Sequence, residues 1–145
     1  MAVYVDIGRC IGCRSCEVAC ERVHGGRGHV HVHFVGDFAS VPIFCHHCEE
    51  ASCAAACFSG ALHKEGDRTA FDVEKCTGCG LCNLACPFGV VWTEKIAHKC
   101  DLCEGRPEPT CVTTCPANAL STDLDLLSCR ARSREARAIA MGGRR

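Results

Sequence analysis

Aromatic side chains are scarce in this chain of 145 residues, which carries one Trp, one Tyr and six Phe. An apolar core is modest at this length, so something besides hydrocarbon packing must help to hold the fold. No run of about eighteen or more apolar residues occurs, and none of the chain reads as a membrane-spanning helix. Neither GxGxxG nor GxxxxGK followed by Ser or Thr is present, and no nucleophile and base form a convincing set, so the usual signatures of nucleotide-driven and covalent catalysis are missing. Between Met1 and Cys10 lies only a short alternating apolar stretch, without charged leader, apolar segment, cleavage site or twin-arginine pair. The expectation is a cytoplasmic protein with no direct membrane anchor, although export bound to a signal-bearing partner stays open. Strong charge of one sign is missing too, and a formal net charge of −1 argues against nucleic-acid binding by bulk electrostatics. That sum hides a skew: from residue 121 onward six Arg face Asp123, Asp125 and Glu135, a local +3 that leaves the rest at −4.

What is abundant is cysteine. The chain has seventeen, far above ordinary usage, and sixteen of them fall into four groups of four. The first is Cys10-x2-Cys13-x2-Cys16-x3-Cys20 and the second Cys45-x2-Cys48-x4-Cys53-x3-Cys57. The third is Cys76-x2-Cys79-x2-Cys82-x3-Cys86-Pro87 and the fourth Cys100-x2-Cys103-x7-Cys111-x3-Cys115-Pro116. Cys129 stands outside every group and reads as a free thiol.

Between the groups, residues 3–7, 30–35, 41–44, 69–73 and 90–93 have strand character. Residues 60–62 and 69–73, joined through 64–68, read as a hairpin with a glycine-containing turn. One or two helical turns suit residues 16–19 and 80–85. Residues 123–141 allow a helix with a weakly apolar face of Leu124, Leu127, Ala131, Ala138 and Met141, ended by Gly142 and Gly143. Such a tail is either surface-docked or frayed, or an arm for a partner.

A C-x2-C-x2-C run places three thiolates on one tight loop, suited to three corners of an iron–sulfur cubane, and the fourth corner then needs a distant ligand. Zinc also uses C-x2-C pairs, but does not require a third cysteine at x2 and a fourth at x3 to recur. Disulfides between such close neighbours are disfavoured in a reducing compartment.

The motifs Arg9-Cys10-Ile11-Gly12-Cys13, Cys45-His46-His47-Cys48, Lys75-Cys76-Thr77-Gly78-Cys79-Gly80-Leu81-Cys82, Cys86-Pro87-Phe88-Gly89-Val90 and Lys99-Cys100-Asp101-Leu102-Cys103 carry a resemblance. Over about residues 3–122 the chain resembles the four-cluster ferredoxin subunits of molybdenum or tungsten oxidoreductases, formate dehydrogenases, hydrogenases and carbon monoxide dehydrogenases. The resemblance implies an α+β fold of tandem bacterial-ferredoxin-like halves, with short strands, hairpins and short helices wrapped around four [4Fe-4S] clusters. Residues 1–122 would form the four-cluster domain, as two interlocked two-cluster halves, and residues 123–145 a basic helical tail. It further implies four ligand sets in which each group lends its last cysteine to another. These are Cys10, Cys13, Cys16 with Cys115 (set A); Cys100, Cys103, Cys111 with Cys20 (set B); Cys45, Cys48, Cys53 with Cys86 (set C); and Cys76, Cys79, Cys82 with Cys57 (set D). The sequence departs from the family pattern at Phe58, where proline often follows the cysteine, and at Glu21.

Closed cysteine ligation leaves no open iron site for substrate, so the expected role is a non-catalytic electron wire between a catalytic subunit and another carrier. The favoured partner is a tungsten- or molybdenum-dependent aldehyde oxidoreductase or formate dehydrogenase, with carbon monoxide dehydrogenase or hydrogenase as the alternative. A flavin- or NAD-linked subunit at the other end and end-to-end self-association are further expectations. A zinc-stabilised interaction module and a cluster storage or delivery protein are the competing classes. Among single residues, His29, His31 and His33 read as a solvated strand face, and His46 and His47 either as exposed loop or as tuning groups beside a cluster. Trp92 reads as packing, and Lys75 and Lys99, each directly before a group, as solvated.

Overall fold

The computed structural model describes residues 2–141. In chain order the elements are β1 (Tyr4–Val5), α1 (Ser15–Val23), β2 (Val30–Val35), β3 (Ala39–Phe44), α2 (Ser52–Ala55), β4 (Leu62–Glu65), β5 (Arg68–Phe71), a 3₁₀ turn (Val73–Lys75), α3 (Leu81–Ala85), β6 (Trp92–Thr93), β7 (Ala97–His98), α4 (Thr110–Thr113), β8 (Leu120–Ser121) and α5 (Leu124–Ala140). The fold is thus a small mixed α/β arrangement of short pieces, in line with so much of the sequence being cysteine loops.

The strands pair two by two, all antiparallel: β2 with β3, β4 with β5, β6 with β7, and β1 with β8. In β2 the apolar alternation decides the faces, since Val30 and Val32 are buried while His31 and His33 are exposed. The β4–β5 hairpin is tighter than the sequence suggests. Lys64 pairs with Thr69 and Glu65 with Arg68, so the charged residues read as turn belong to the ladder and only Gly66 and Asp67 lie between the strands. The strand expected over residues 90–93 shrinks to Trp92–Thr93, and β7 and β8 were not expected at all. Two-residue strands carry no readable periodicity, which is why they escape a sequence pattern.

The helices follow one rule. The third cysteine of each group, Cys16, Cys53, Cys82 and Cys111, is the second residue of α1, α2, α3 and α4 respectively. All four are buried. Helix α1 packs on α4, and α2 on α3. Two separate cores result. One gathers Val3, Val30, Val32, Phe44 and Leu120 around Cys16, Cys20 and Cys111, and the other gathers Leu62, Val91 and Ala97 around Cys53 and Cys82. The first and fourth cysteine groups therefore share one core, and the second and third share the other.

Helix α5 starts at Asp123, whose carboxylate accepts from the Leu126 N–H at 3.0 Å. Of the apolar face expected there, Leu127 is buried and Ala131 half-buried, while Leu124, Ala138 and Met141 are exposed. Arg134 ties the helix to β1 through Asp6, with Nη1 to Oδ2 at 3.0 Å. The stop at Gly142 and Gly143 lies outside the described residues.

Candidate metal centre

Each cysteine group turns its loop in the same place. The residue directly before the second cysteine has a positive φ in all four: Gly12 (65°), His47 (48°), Gly78 (71°) and Leu102 (60°). This left-handed step turns the backbone between the first and second cysteines of each group. Glycine adopts it freely, whereas His47 and Leu102 hold it at a cost of roughly 1–2 kcal/mol each.

No two of the seventeen cysteines are disulfide-bonded. Their thiols instead neighbour one another across groups. Burial pushes the Cys16 pKa up to about 11, with Cys10 and Cys115 adding to the rise. Cys111 is pushed to about 12, first by burial and then by Cys103, Cys20 and Cys16. Cys45 has Cys48 and Cys86 beside it, and Cys53 has Cys45 and Cys86. Cys57 lies near Cys82, and those two line one cavity together with Cys76 and Cys79. Links also run between neighbourhoods, from Cys111 to Cys16 and from Cys100 to Cys45. Buried thiols with raised pKa values resist becoming thiolates unless a cation arrives, which is the condition of a metal site.

Backbone N–H groups point at six of the sulfurs. His29 donates to Cys20 Sγ (3.2 Å), Leu62 to Cys57 (3.3 Å), Ala119 to Cys115 (3.3 Å), Ala97 to Cys76, Leu102 to Cys100 and Thr110 to Cys103 (3.4 Å each). Such bonds suit a sulfur that carries charge. Among the described residues, the one trio of metal-capable side chains with ligand atoms all within 4.8 Å of one another is His24, Asp101 and Cys103, and no three thiols gather that tightly. The donor chemistry fits an iron–sulfur cubane with four cysteine corners.

Around the thiols the structure sorts the residues weighed from sequence. His29 leaves the solvated face and is buried, with its ring 4.8 Å from that of His24. His24 in turn donates from Nδ1 to Cys20 O (2.8 Å), and its Nε2 pairs with Asp101 Oδ1 (3.0 Å). His46 is exposed between the rings of Phe44 and Phe88, whereas His47 is buried and its Nδ1 accepts from the Thr69 N–H at 3.2 Å. Trp92 stacks on His98 with centroids 4.0 Å apart. Lys75 is solvated and paired with Asp72 at 2.9 Å. Lys99 is not solvated: it is 5% exposed, because it follows buried Ala97 by two residues and so shares its inward face. Nothing in the local pattern marks that face, because β7 spans only two residues. Cys129 is exposed on α5, apart from all the groups.

Comparison with known proteins gives a consistent picture. Residues 37–124 match the 4Fe-4S dicluster domain family. A protein of Rhodospirillum rubrum named iron-sulfur protein is 31% identical, over 98% of this chain and 92% of that one. The B subunit of the anaerobic dimethyl sulfoxide reductase of Escherichia coli (strain K12) is 33% identical, over 81% of this chain and 70% of its own length. AegA of Escherichia coli (strain K12), named as an oxidoreductase, is 40% identical over 89% of this chain, which spans only 23% of that longer protein.

Proposed function

Since this protein belongs to the 4Fe-4S dicluster domain family, we propose that it is a four-cluster electron relay attached to a catalytic oxidoreductase. As an iron–sulfur electron-transfer protein it carries electrons and does not itself catalyse. The observation that carries the four-cluster reading is the way unbridged thiols from distant groups neighbour one another, as Cys16 with Cys115, Cys111 with Cys20, Cys53 with Cys86 and Cys82 with Cys57.

In this reading set A is Cys10, Cys13, Cys16 and Cys115; set B is Cys100, Cys103, Cys111 and Cys20; set C is Cys45, Cys48, Cys53 and Cys86; and set D is Cys76, Cys79, Cys82 and Cys57. Cysteines of sets A and B gather in the first core and cysteines of sets C and D in the second, which supports reading residues 1–122 as two interlocked halves. When bound, [4Fe-4S] groups accept and pass on single electrons. The protein's own part is to hold them close together, to exclude water and to aim N–H donors at the ligand sulfurs. The electrostatic influence of Cys16 on Cys111 and of Cys45 on Cys100 supports A beside B and B beside C, and the core that C and D share completes the order A, B, C, D. Cys13 of set A and Cys79 of set D are exposed, while the other fourteen grouped cysteines are buried or half-buried. The two ends of the series are therefore the places where electrons enter and leave.

The partner we favour is a tungsten- or molybdenum-containing aldehyde oxidoreductase or formate dehydrogenase. Carbon monoxide dehydrogenase or hydrogenase is the alternative, and a flavin- or NAD-linked subunit would meet the far end. Support comes from one relative being the B subunit of a reductase and another being a longer oxidoreductase that includes the same module. A cytoplasmic location is proposed with it; among the described residues no helix is long and apolar enough to cross a membrane. Anaerobic preparation should yield about sixteen iron and about sixteen sulfide per chain, with cubane paramagnetic resonance on reduction and a catalytic subunit copurifying. Four zinc and no sulfide would leave only the interaction-module reading. End-to-end association of copies would show as species beyond a single copy in the purified complex, and strict single-copy behaviour removes it.

A further inference from the structure

Lys64, Lys75 and Lys95 are exposed, and Lys99 alone among the lysines is buried. Its Nζ donates to the carbonyl oxygens of Thr69 at 2.6 Å and Cys100 at 2.7 Å. No carboxylate pairs with it among the described residues. A buried ammonium held by carbonyl dipoles alone is expensive, so its retention points to negative charge that nearby groups acquire when the protein is loaded.

The groups that feel it belong to both cores. Thr69 belongs to β5, whose Phe71 packs on the second core with Cys53, while Cys100 packs on the first. By bonding both carbonyls Lys99 bridges the two cores, next to Cys100 of set B. The thiols of Cys45 and Cys53, in set C, feel its charge as Cys100 does. His47 joins the same arrangement through Thr69, whose N–H donates to His47 Nδ1 while its carbonyl accepts from Lys99. The imidazole proton is thereby placed on Nε2, a buried atom with no protein partner among the described residues.

We propose that Lys99 is a counter-cation shared by the two inner cysteine sets, B and C, and that it holds their reduction potentials above those the same sets would have without it. The inference rests on the four-cluster reading above. Clusters ligated by four thiolates are anionic, and an added electron at either inner set is stabilised by a cation that water does not screen. Without it, two adjacent buried anions at the middle of the relay would form a step that electrons must climb. Lys99 touches no substrate; it is a positioning residue that acts through its charge.

The test is a redox titration followed by paramagnetic resonance on the loaded protein, comparing wild type with Lys99→Met, Lys99→Gln, Lys99→Arg and Lys75→Met. Lys75 precedes Cys76 as Lys99 precedes Cys100, but it is exposed, so Lys75→Met should leave all potentials in place. Lys99→Met should lower two of the four potentials by at least a tenfold change in the ratio of reduced to oxidised cluster, about 59 mV for a one-electron couple. Lys99→Arg, which keeps the cation, should hold them near wild type. Unshifted potentials in a fully loaded Lys99→Met protein, or four equal shifts, would overturn the proposal. Loss of clusters in both Lys99→Met and Lys99→Gln would assign the residue to packing and overturn it too. A wild-type protein with far fewer than about sixteen iron would instead defeat the four-cluster reading itself, so the two failures are separable.

Discussion

Gly78 and Gly80 flank Cys79, and both have positive φ, 71° and 77°. They differ in their surroundings. A Cβ on Gly78 would overlap the backbone carbonyl oxygen of Lys95, whereas one on Gly80 would meet nothing within 4 Å. Gly80→Ala should therefore cost only the left-handed strain, roughly 1–2 kcal/mol. Gly78→Ala should do more, displacing the loop of Cys76 and Cys79 and lowering bound iron by about a quarter, which iron analysis of the two variants side by side would measure. Equal iron in both would show that the Lys95 backbone yields easily. Cys129 is the opposite case: exposed and remote from the sets, it should be the one thiol alkylated in the loaded protein, and Cys129→Ser should leave iron content unchanged. The glycines and cysteines were legible as residues because spacing alone marks them. The burial of Lys99 and His47 was not, since it depends on what packs above their loops.

At the scale of elements, the packing of α2 on α3 and of α1 on α4 makes the exchange of fourth cysteines testable. Cys57 follows α2 yet lies by Cys82 on α3. Cys57→Ser should thus disturb the resonance signal of the cluster held by Cys76, Cys79 and Cys82, and spare that of Cys45, Cys48 and Cys53. If the second group's own signal vanished instead, the proposed sets would be wrong. Helix α5 is attached by the Asp123 cap, buried Leu127 and the Arg134–Asp6 pair. The cap is worth about 1 kcal/mol and burying Leu127 roughly 2. Deleting residues 122–145 should accordingly leave iron content intact while lowering the unfolding temperature slightly, and lost binding of the catalytic subunit would assign the tail to the partner. The hairpin β4–β5 and strand β2 were legible because alternation and a glycine turn announce them. β7 and β8 were not, because each is only two residues long and exists through its partner across the ladder.

Across the whole molecule, the two small cores are built as much from thiols as from aliphatic side chains. Several of those thiols are buried with raised pKa values, as at Cys16 and Cys111, and a bound cation would favour their thiolate forms. Folding should therefore depend on metal: anaerobic chelation should abolish the far-ultraviolet dichroism of the body rather than merely bleach its colour, and a chelated protein that kept its full signal would contradict this. By itself the sequence determined the number and grouping of the thiols, the family, and the short-element character of the fold, because ligand spacing along a loop is a local property. Only the tertiary structure decided which thiols neighbour one another, which two of the sixteen grouped cysteines reach the surface, and that one lysine is buried. Those facts come from segments far apart in sequence folding onto common cores, where burial is set by what covers a residue and not by its neighbours along the backbone.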